Sequence, residues 1–362
     1  MLNRLLSHDL PRNRWLALLL VACLLGLALT PFLFPGTKAL NVAAKILVFI
    51  VLVASFDLLL GYTGIVSFAH TMFFGIGAYG VAIASARLGP TWGSLALGVS
   101  VALMASLLLS LLIGLFSLRV KAIFFAMITL AVASAFLTLA SQLSDFTGGE
   151  DGLTFKLPEA LRPDTMYLAD PLFGASIDGR LLSYYVLYFA ALALVLLLLR
   201  IVNSPFGRVL QAIRENDFRA EAIGYRTVVY RTLSNVLSAL FATLAGCLLA
   251  LWLRYNGPDT TLSFEIMLDV LLIVVIGGMG TIYGAVIGSV LFVLAQSYLQ
   301  DLMKLGASAV EGVPVLSQLI SPDRWLLWLG ILFVLSVYHF PAGVVGRLRA
   351  IGQKSAAKRD VP

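Results

Sequence analysis

Ten apolar runs, each near the twenty residues a helix needs to cross a bilayer, recur along this chain and leave little sequence for anything else. They occupy residues 14–34, 39–60, 64–86, 93–117, 120–141, 181–202, 230–253, 264–283, 284–302 and 324–340. Only 12% of the 362 residues are charged, well under the share of about 25% found in soluble domains. The expected fold is an all-α polytopic membrane protein, one domain of about ten transmembrane helices. The first run follows a basic segment containing Arg4, Arg12 and Arg14. It reads as a span rather than a cleaved leader, because leader cores are shorter and no small-x-small site follows it.

Charge sets an orientation. With the N-terminus inside, sixteen of the 25 Lys and Arg fall on the cytoplasmic side: at the N-terminus, at Arg119 and Lys121, from Arg200 to Arg231, and in the C-terminal tail. Acids run the other way, with five inside, twelve outside and two, Asp57 and Asp269, within spans. Basic residues near span ends on one side are what fixes orientation, so both termini are expected in the cytoplasm. Making the glycine-rich run 64–86 re-entrant would put Arg208 to Arg231 outside, so it is kept as a span. The net charge of +6 is then explained by orientation and not by nucleic acid. Cys23 and Cys247 each lie in an apolar run, and His8, His70 and His339 are scattered, so neither a disulfide framework nor a metal site is expected.

The longest charged interruption is the loop 203–228, which opens NSPFGRVLQAIRENDFRAEAIGY. It holds Arg208, Arg214, Arg219 and Arg226 with Glu215, Asp217 and Glu221, a density that hydrocarbon does not tolerate. It still has helix grammar. Ser204 suits an N-cap, and Pro205 suits the first helical position. Phe206, Val209, Leu210 and Ile213 fall on one face at helical spacing. Asn216-Asp217 interrupts the stripe, with Asp217 the expected cap of a second short turn ending at Gly224. Two readings stand: a solvated loop that only fixes topology, or a surface helix whose apolar face a soluble partner grips.

Two other polar stretches matter. Residues 142–180, expected outside the cell, carry seven acids and the turn-rich TGGEDGL from Thr147 to Leu153. Connectors of that length are usually functional or disordered. The basic tail 342–362 reads as cytoplasmic and disordered.

GIGAYG, Gly75 to Gly80, spells the dinucleotide fingerprint, but no acid follows Asp57 before Asp145 and no strand precedes it. Gly75, Gly77 and Gly80 read instead as sites of close helix contact, as does the stripe Gly280, Gly284, Gly288. No phosphate loop occurs, and GGMG at Gly277 to Gly280 lacks its lysine, so this chain is not expected to hydrolyse ATP. No catalytic triad or carboxylate pair is evident either.

Ionisable groups inside spans face a polar interior or a path by default. Asp57, His70 and Asp269 are such groups. Asp57 suits a path or an interhelical hydrogen bond, Asp269 an outer vestibule, and either acid would simply be wet near an interface. GYTGIVSFAH gathers Tyr62, Thr63, Ser67 and His70 around Gly61 and Gly64. Such a break either frees backbone groups for a solute or is an ordinary tight hairpin. G-x-x-G recurs at Gly61–Gly64 and Gly277–Gly280, in the same orientation, which gives no support for an inverted repeat.

Taken in order, GYTGIVSFAHTMFFGIGAYG (61–80), TGGEDGL (147–153), SPFGRVLQAIRENDFRAEAIGY (204–225), VVIGGMGTIYGAVIG (274–288) and HFPAGVVGRLR (339–349) resemble the LivM-type permeases of branched-chain amino acid ABC importers. The resemblance spans nearly the whole chain. It implies a permease in a bacterial inner membrane, paired with a sister permease, two ATP-binding cassette subunits on the cytoplasmic face and an extracytoplasmic solute-binding protein. ATP and magnesium would be bound by those partners, with no cofactor in this chain. It further implies a coupling helix carried by Phe206, Arg208, Ile213, Arg214, Glu215, Asn216, Glu221 and Gly224. Leucine, isoleucine and valine are the implied solutes, with urea, amides and aromatic acids as alternatives in the family. Where the family usually carries Asn, this chain has Asp57. The competing class is an ion-gradient-driven secondary transporter working through Asp57 and His70.

Overall fold

The computed structural model describes residues 14–34, 36–117, 122–168, 177–309, 321, 324–339 and 343–347. Its helices are α1 (Arg14–Leu33), α2 (Thr37–Thr63), α3 (His70–Leu88), α4 (Trp92–Ser117), α5 (Ala122–Gln142), α6 (Ser144–Thr147) and α7 (Gly179–Val202). There follow α8 (Pro205–Glu215), α9 (Asp217–Ala222), α10 (Thr227–Leu253), α11 (Pro258–Thr261), α12 (Phe264–Gly277), α13 (Ile282–Ala309) and α14 (Trp325–His339). Among the described residues nine helices are long and apolar enough to cross a membrane, and a shorter apolar one lies within Trp325–Ser336. The expected boundary at 283/284 is corrected. The chain breaks earlier, between Gly277 and Ile282, with Gly278 at φ 113° and Gly280 at φ 78°. Residues 1–13, 118–121 and 348–362, with part of the 142–180 loop, lie outside the described residues, as do the N-terminal basic segment and most of the tail.

Helix α2 is sheathed by protein on all sides. From Val42 to Thr63 only Lys45 and Leu60 are not buried, and α3, α7, α10, α12 and α13 surround or adjoin it. A helix apolar around its whole circumference belongs in a core or in lipid, and this one takes the core. The outer helices α1, α4, α5 and α7 instead expose leucine, valine, isoleucine and phenylalanine, as a bilayer-facing ring must.

Small residues let the inner helices touch. A Cβ at Gly77 of α3 would overlap the Thr243 carbonyl of α10, and one at Gly246 of α10 would overlap the Phe74 carbonyl of α3. Gly80 faces Gly98 and Ala102 of α4, and Gly75 faces the side chain of Leu262. Polar side chains tie the same helices together. Thr243 donates to Ser106 Oγ at 2.6 Å, Ser238 to the Ser55 carbonyl at 2.6 Å, and Asn235 to the Ser110 carbonyl at 2.9 Å.

Helix α1 is held by a different device. Pro31 lacks the amide that would bond the Leu27 carbonyl, and the buried Tyr184 hydroxyl of α7 donates to that carbonyl instead. Tyr185 and Tyr188 donate to Ala28 and Leu24 carbonyls at 2.9 and 3.2 Å, but those carbonyls keep their helical partners. Tyr184→Phe is therefore expected to cost about 1–2 kcal/mol, and Tyr185→Phe clearly less. Thermal melting of the detergent-purified protein checks the order.

The stretch 142–168 is ordered, and two-residue strands stitch it down. β1 (Leu153–Thr154) pairs antiparallel with β2 (Tyr255–Asn256), Leu153 opposite Asn256. Gly148, Gly149 and Gly152 of TGGEDGL all take positive φ. A Cβ at Gly152 would press on the Asn256 carbonyl at 2.6 Å, so the turn and β2 fit each other. Helix α10 links this region to α9. At 27 residues it is about 40 Å long, so the two lie at opposite ends of the fold.

Candidate functional site

Helix α8 begins where the sequence suggests, with Ser204 at the N-cap position and Pro205 inside the first turn, although the Ser204 hydroxyl donates back to the Ile201 carbonyl and caps nothing. The cap of α9 is Asn216, not Asp217: Asn216 Oδ1 accepts from the Arg219 amide at 2.9 Å. Asp217 instead pairs with Arg231 of α10 at 2.9 Å. An amide oxygen at 216 reaches the free N–H of Arg219, three residues on, and Arg231 draws the neighbouring acid away.

The apolar stripe of α8 faces inward. Gly207, Leu210 and Ile213 are buried against the chain's own α2, α7 and α10, and Phe206 stacks on Tyr230 at 5.8 Å. This corrects the reading in which a partner grips that stripe. Leu210 and Ile213 are buried against the chain's own helices and Phe206 and Val209 are half-buried, so the stripe is largely satisfied already. Arg208, Gln211, Ala212, Glu215 and Asn216 form the outward side. Glu221 accepts from Thr227 at 2.6 Å, and Gly224, at φ 96°, ends the segment. Phe218, not singled out in the sequence, is 87% exposed, and Ile223 is 66% exposed. Their position in a polar segment was the available signal.

Arg214 differs from its neighbours on α8. Its guanidinium Nη1 donates to the Gly61 carbonyl at the end of α2. Its stem lies against Gly64, where a Cβ would come within 3.2 Å, and its tip against Gly280, within 3.0 Å. The two G-x-x-G segments, far apart in sequence, therefore meet beside one arginine. Gly64, at φ 75°, ends α2, its amide bonded back to Leu60. Gly280 donates its amide to Asp57 Oδ1 at 2.8 Å.

The residues expected on a path divide by position. Asp57, Tyr62, Thr63, Ser67 and His70 are each at most 5% exposed. His70 Nε2 pairs with Ser55 Oγ at 2.8 Å, and Thr63 Oγ1 with Ser234 Oγ at 2.8 Å. Ser67 Oγ accepts from the Ala69 amide at 3.4 Å. These groups join helices around the break between α2 and α3. Asp269 lies apart, on α12, accepting from Gln296 at 3.2 Å, while Lys45 of α2 donates to the same Gln296 at 2.8 Å. That three-helix bridge was missed because a lone Gln and Lys within apolar runs gave no pattern. Lys38 pairs with Asp301 toward the same end of α2.

The expected glycine stripe of α13 is corrected at its first member. Gly280 precedes the helix in a left-handed turn, whereas Gly284 and Gly288 pack on Gly277 and Ile273 of α12. An apolar cavity of about 570 Å³ opens between α12, α13 and α14, lined by Ile276, Phe292, Leu329, Phe333 and His339 among others.

Charge divides along the fold. At the β1–β2 end exposed Asp145, Glu150, Asp151, Glu159, Asp164 and Asp259 outnumber exposed Arg87 and Lys156, and at the α8–α9 end exposed Arg208, Arg214, Arg219 and Arg226 outnumber exposed Glu215 and Glu221. Among the described residues no group of three His, Cys, Asp or Glu is placed to hold a metal ion.

The profile of a family described as "Branched-chain amino acid transport system / permease component" matches residues 38–337. The chain is 26% identical over 323 residues to the "High-affinity branched-chain amino acid transport system permease protein LivM" of Salmonella typhimurium, covering 85% of this chain and 74% of that relative. The Escherichia coli protein of the same name matches to the same extent. The "Autoinducer 2 import system permease protein LsrC" of Yersinia pseudotuberculosis is 29% identical over 248 residues, covering 64% of this chain and 65% of that protein. No solved structure matches significantly.

Proposed function

The chain belongs to the family of permease components of branched-chain amino acid transport systems, and from that premise we propose that it forms part of the membrane channel of an ATP-driven importer for leucine, isoleucine and valine. It works with a sister permease, two ATP-hydrolysing subunits and an extracytoplasmic solute-binding protein. ATP and magnesium are bound by the hydrolysing subunits. The α8–α9 end faces the cytoplasm, in keeping with its exposed arginines, and the acidic β1–β2 end receives the solute. Both termini are cytoplasmic in a bacterial inner membrane.

The observation that carries this reading is the build of α8. Its apolar side is used up inside the permease, its polar side is free, and Arg214 reaches the backbone at the α2 break. A partner that moves α8 therefore moves the ends of α2 and α12 with it. Rigid-body rocking then alternates access across the membrane.

The solute is the point at which a second reading has support, since the similarity to an autoinducer 2 permease is of comparable identity. Uptake assays on the reconstituted complex, with labelled leucine against a panel of small polar solutes, decide it. Saturable leucine uptake displaced by isoleucine and valine is expected. Uptake of another solute with none of leucine would reassign the cargo and leave the importer class standing.

A further inference from the structure

The break between α12 and α13 poses a backbone problem that one side chain answers. Helix α12 has 14 residues and, with the short α11 before it, completes the span Pro258–Gly277, which is long enough to cross a membrane, so the break follows at the α8 end beside Arg214. Buried backbone outside a helix persists only where other groups satisfy its N–H and C=O. Thr281 supplies part of the answer: its hydroxyl donates to the Gly278 carbonyl at 2.9 Å and accepts from the Gly284 amide at 3.1 Å. Asp57, from α2, supplies the rest by accepting the Gly280 amide at 2.8 Å.

Asp57 is 1% exposed, and its second oxygen, Oδ2, is buried with no hydrogen-bond partner among the described residues. The carboxyl thus holds the break through the Gly280 amide, with the Thr281 amide also turned toward it. One turn further along α2, a Cβ at Gly61 would overlap both the Asp57 carboxyl and the Gly280 amide. Arg214 closes the ring through the Gly61 carbonyl. Three segments meet within this one knot: the end of α2, the α12–α13 break and helix α8.

We propose that Asp57 is a positioning residue of the transport cycle, a latch that ties the α12–α13 break to α2 where Arg214 ties α8 to both. Displacement of α8 then moves the two glycine breaks as one inner gate. The proposal rests on the reading of α8 as the element moved by ATP-hydrolysing partners. On this account position 57 needs an acceptor for Gly280 and does not bind solute.

The test uses the full complex in liposomes and reads solute imported per ATP hydrolysed. Asp57→Asn keeps an acceptor oxygen, and the ratio is expected to stay within about twofold of the parent. Asp57→Leu, similar in volume but without an acceptor, is expected to lower it at least about tenfold while ATP hydrolysis continues. Asn as damaging as Leu would overturn the proposal, because charge and not acceptance would then carry the role. Should the Leu variant fail to fold, hydrogen exchange of segment 278–281 in the parent complex gives an independent arm. Protection there is expected to change between nucleotide-free and nucleotide-bound states, and Arg214→Met is expected to abolish that change. Protection indifferent to nucleotide overturns the latch. If Arg214→Met leaves the import ratio intact, the coupling role of α8 fails instead, which separates the two claims.

Discussion

Gly77→Val and Gly246→Val are each expected to abolish the folded protein, while Gly26→Ala and Gly330→Ala are expected to leave it intact. At Gly77 the new Cβ would overlap the Thr243 carbonyl, and at Gly246 the Phe74 carbonyl. In both cases the obstacle is backbone in the facing helix, which no rotamer change moves aside. Overpacking a core costs about 1–3 kcal/mol when side chains adjust, and more when a whole helix must shift. Valine adds two further methyls to that Cβ, so a loss of at least ~3 kcal/mol is expected, a large fraction of the stability of a typical domain. Gly26 and Gly330 meet nothing within 4 Å among the described residues, so alanine there brings only its better helix propensity, worth about 1 kcal/mol. Size-exclusion profiles and melting temperatures in mild detergent read the contrast. Parent-like melting of Gly77→Val would mean that α3 and α10 do not cross where described.

The second large effect is at Phe218. Replacement by Asp is expected to remove the ATP-hydrolysing subunits from the purified complex and leave the permease itself folded. The residue is 87% exposed, so its loss takes no packing from the chain. The apolar stripe of α8, by contrast, is spent inside the permease. An aromatic side chain standing clear of a polar surface is the kind of anchor that dominates interfaces, where removing one costs about 2–4 kcal/mol, or roughly 30- to 1,000-fold in affinity. Ile223, 66% exposed in the same segment, is expected to contribute a smaller share. Pull-down through a tag on this chain, with quantification of ATP-binding partners, reads the result. Unchanged partner recovery from Phe218→Asp would move the docking surface elsewhere.

The sequence shows where the spans are, because apolar runs of bilayer length need no partner to be recognised. It hides the break between α12 and α13. That turn is made of uncharged Gly278, Met279, Gly280 and Thr281, which hydropathy reads as continuous membrane. The stripe on α8 was legible as a face, but periodicity tells only that a face exists and not what covers it. Pro31 was visible in α1, yet the hydroxyl that answers it comes from Tyr184, 157 residues beyond Leu27. Asp57 stood out as an ionisable group in a span, while its partner Gly280 lies 223 residues away. A buried polar group announces that it needs a partner, and only the packing of distant helices says which one.

One measurement tests the central claim most directly. The complex, and this chain alone, are purified in mild detergent from the native membrane, reconstituted in liposomes, and assayed for uptake with and without ATP, both with ion gradients collapsed and with an ion gradient imposed. The account predicts that a second permease and ATP-binding chains copurify, that uptake requires ATP, and that Arg214→Met uncouples it from hydrolysis. Uptake by this chain alone, without ATP and driven by an ion gradient, would contradict the account and return Asp57 and His70 to the role of ion carriers.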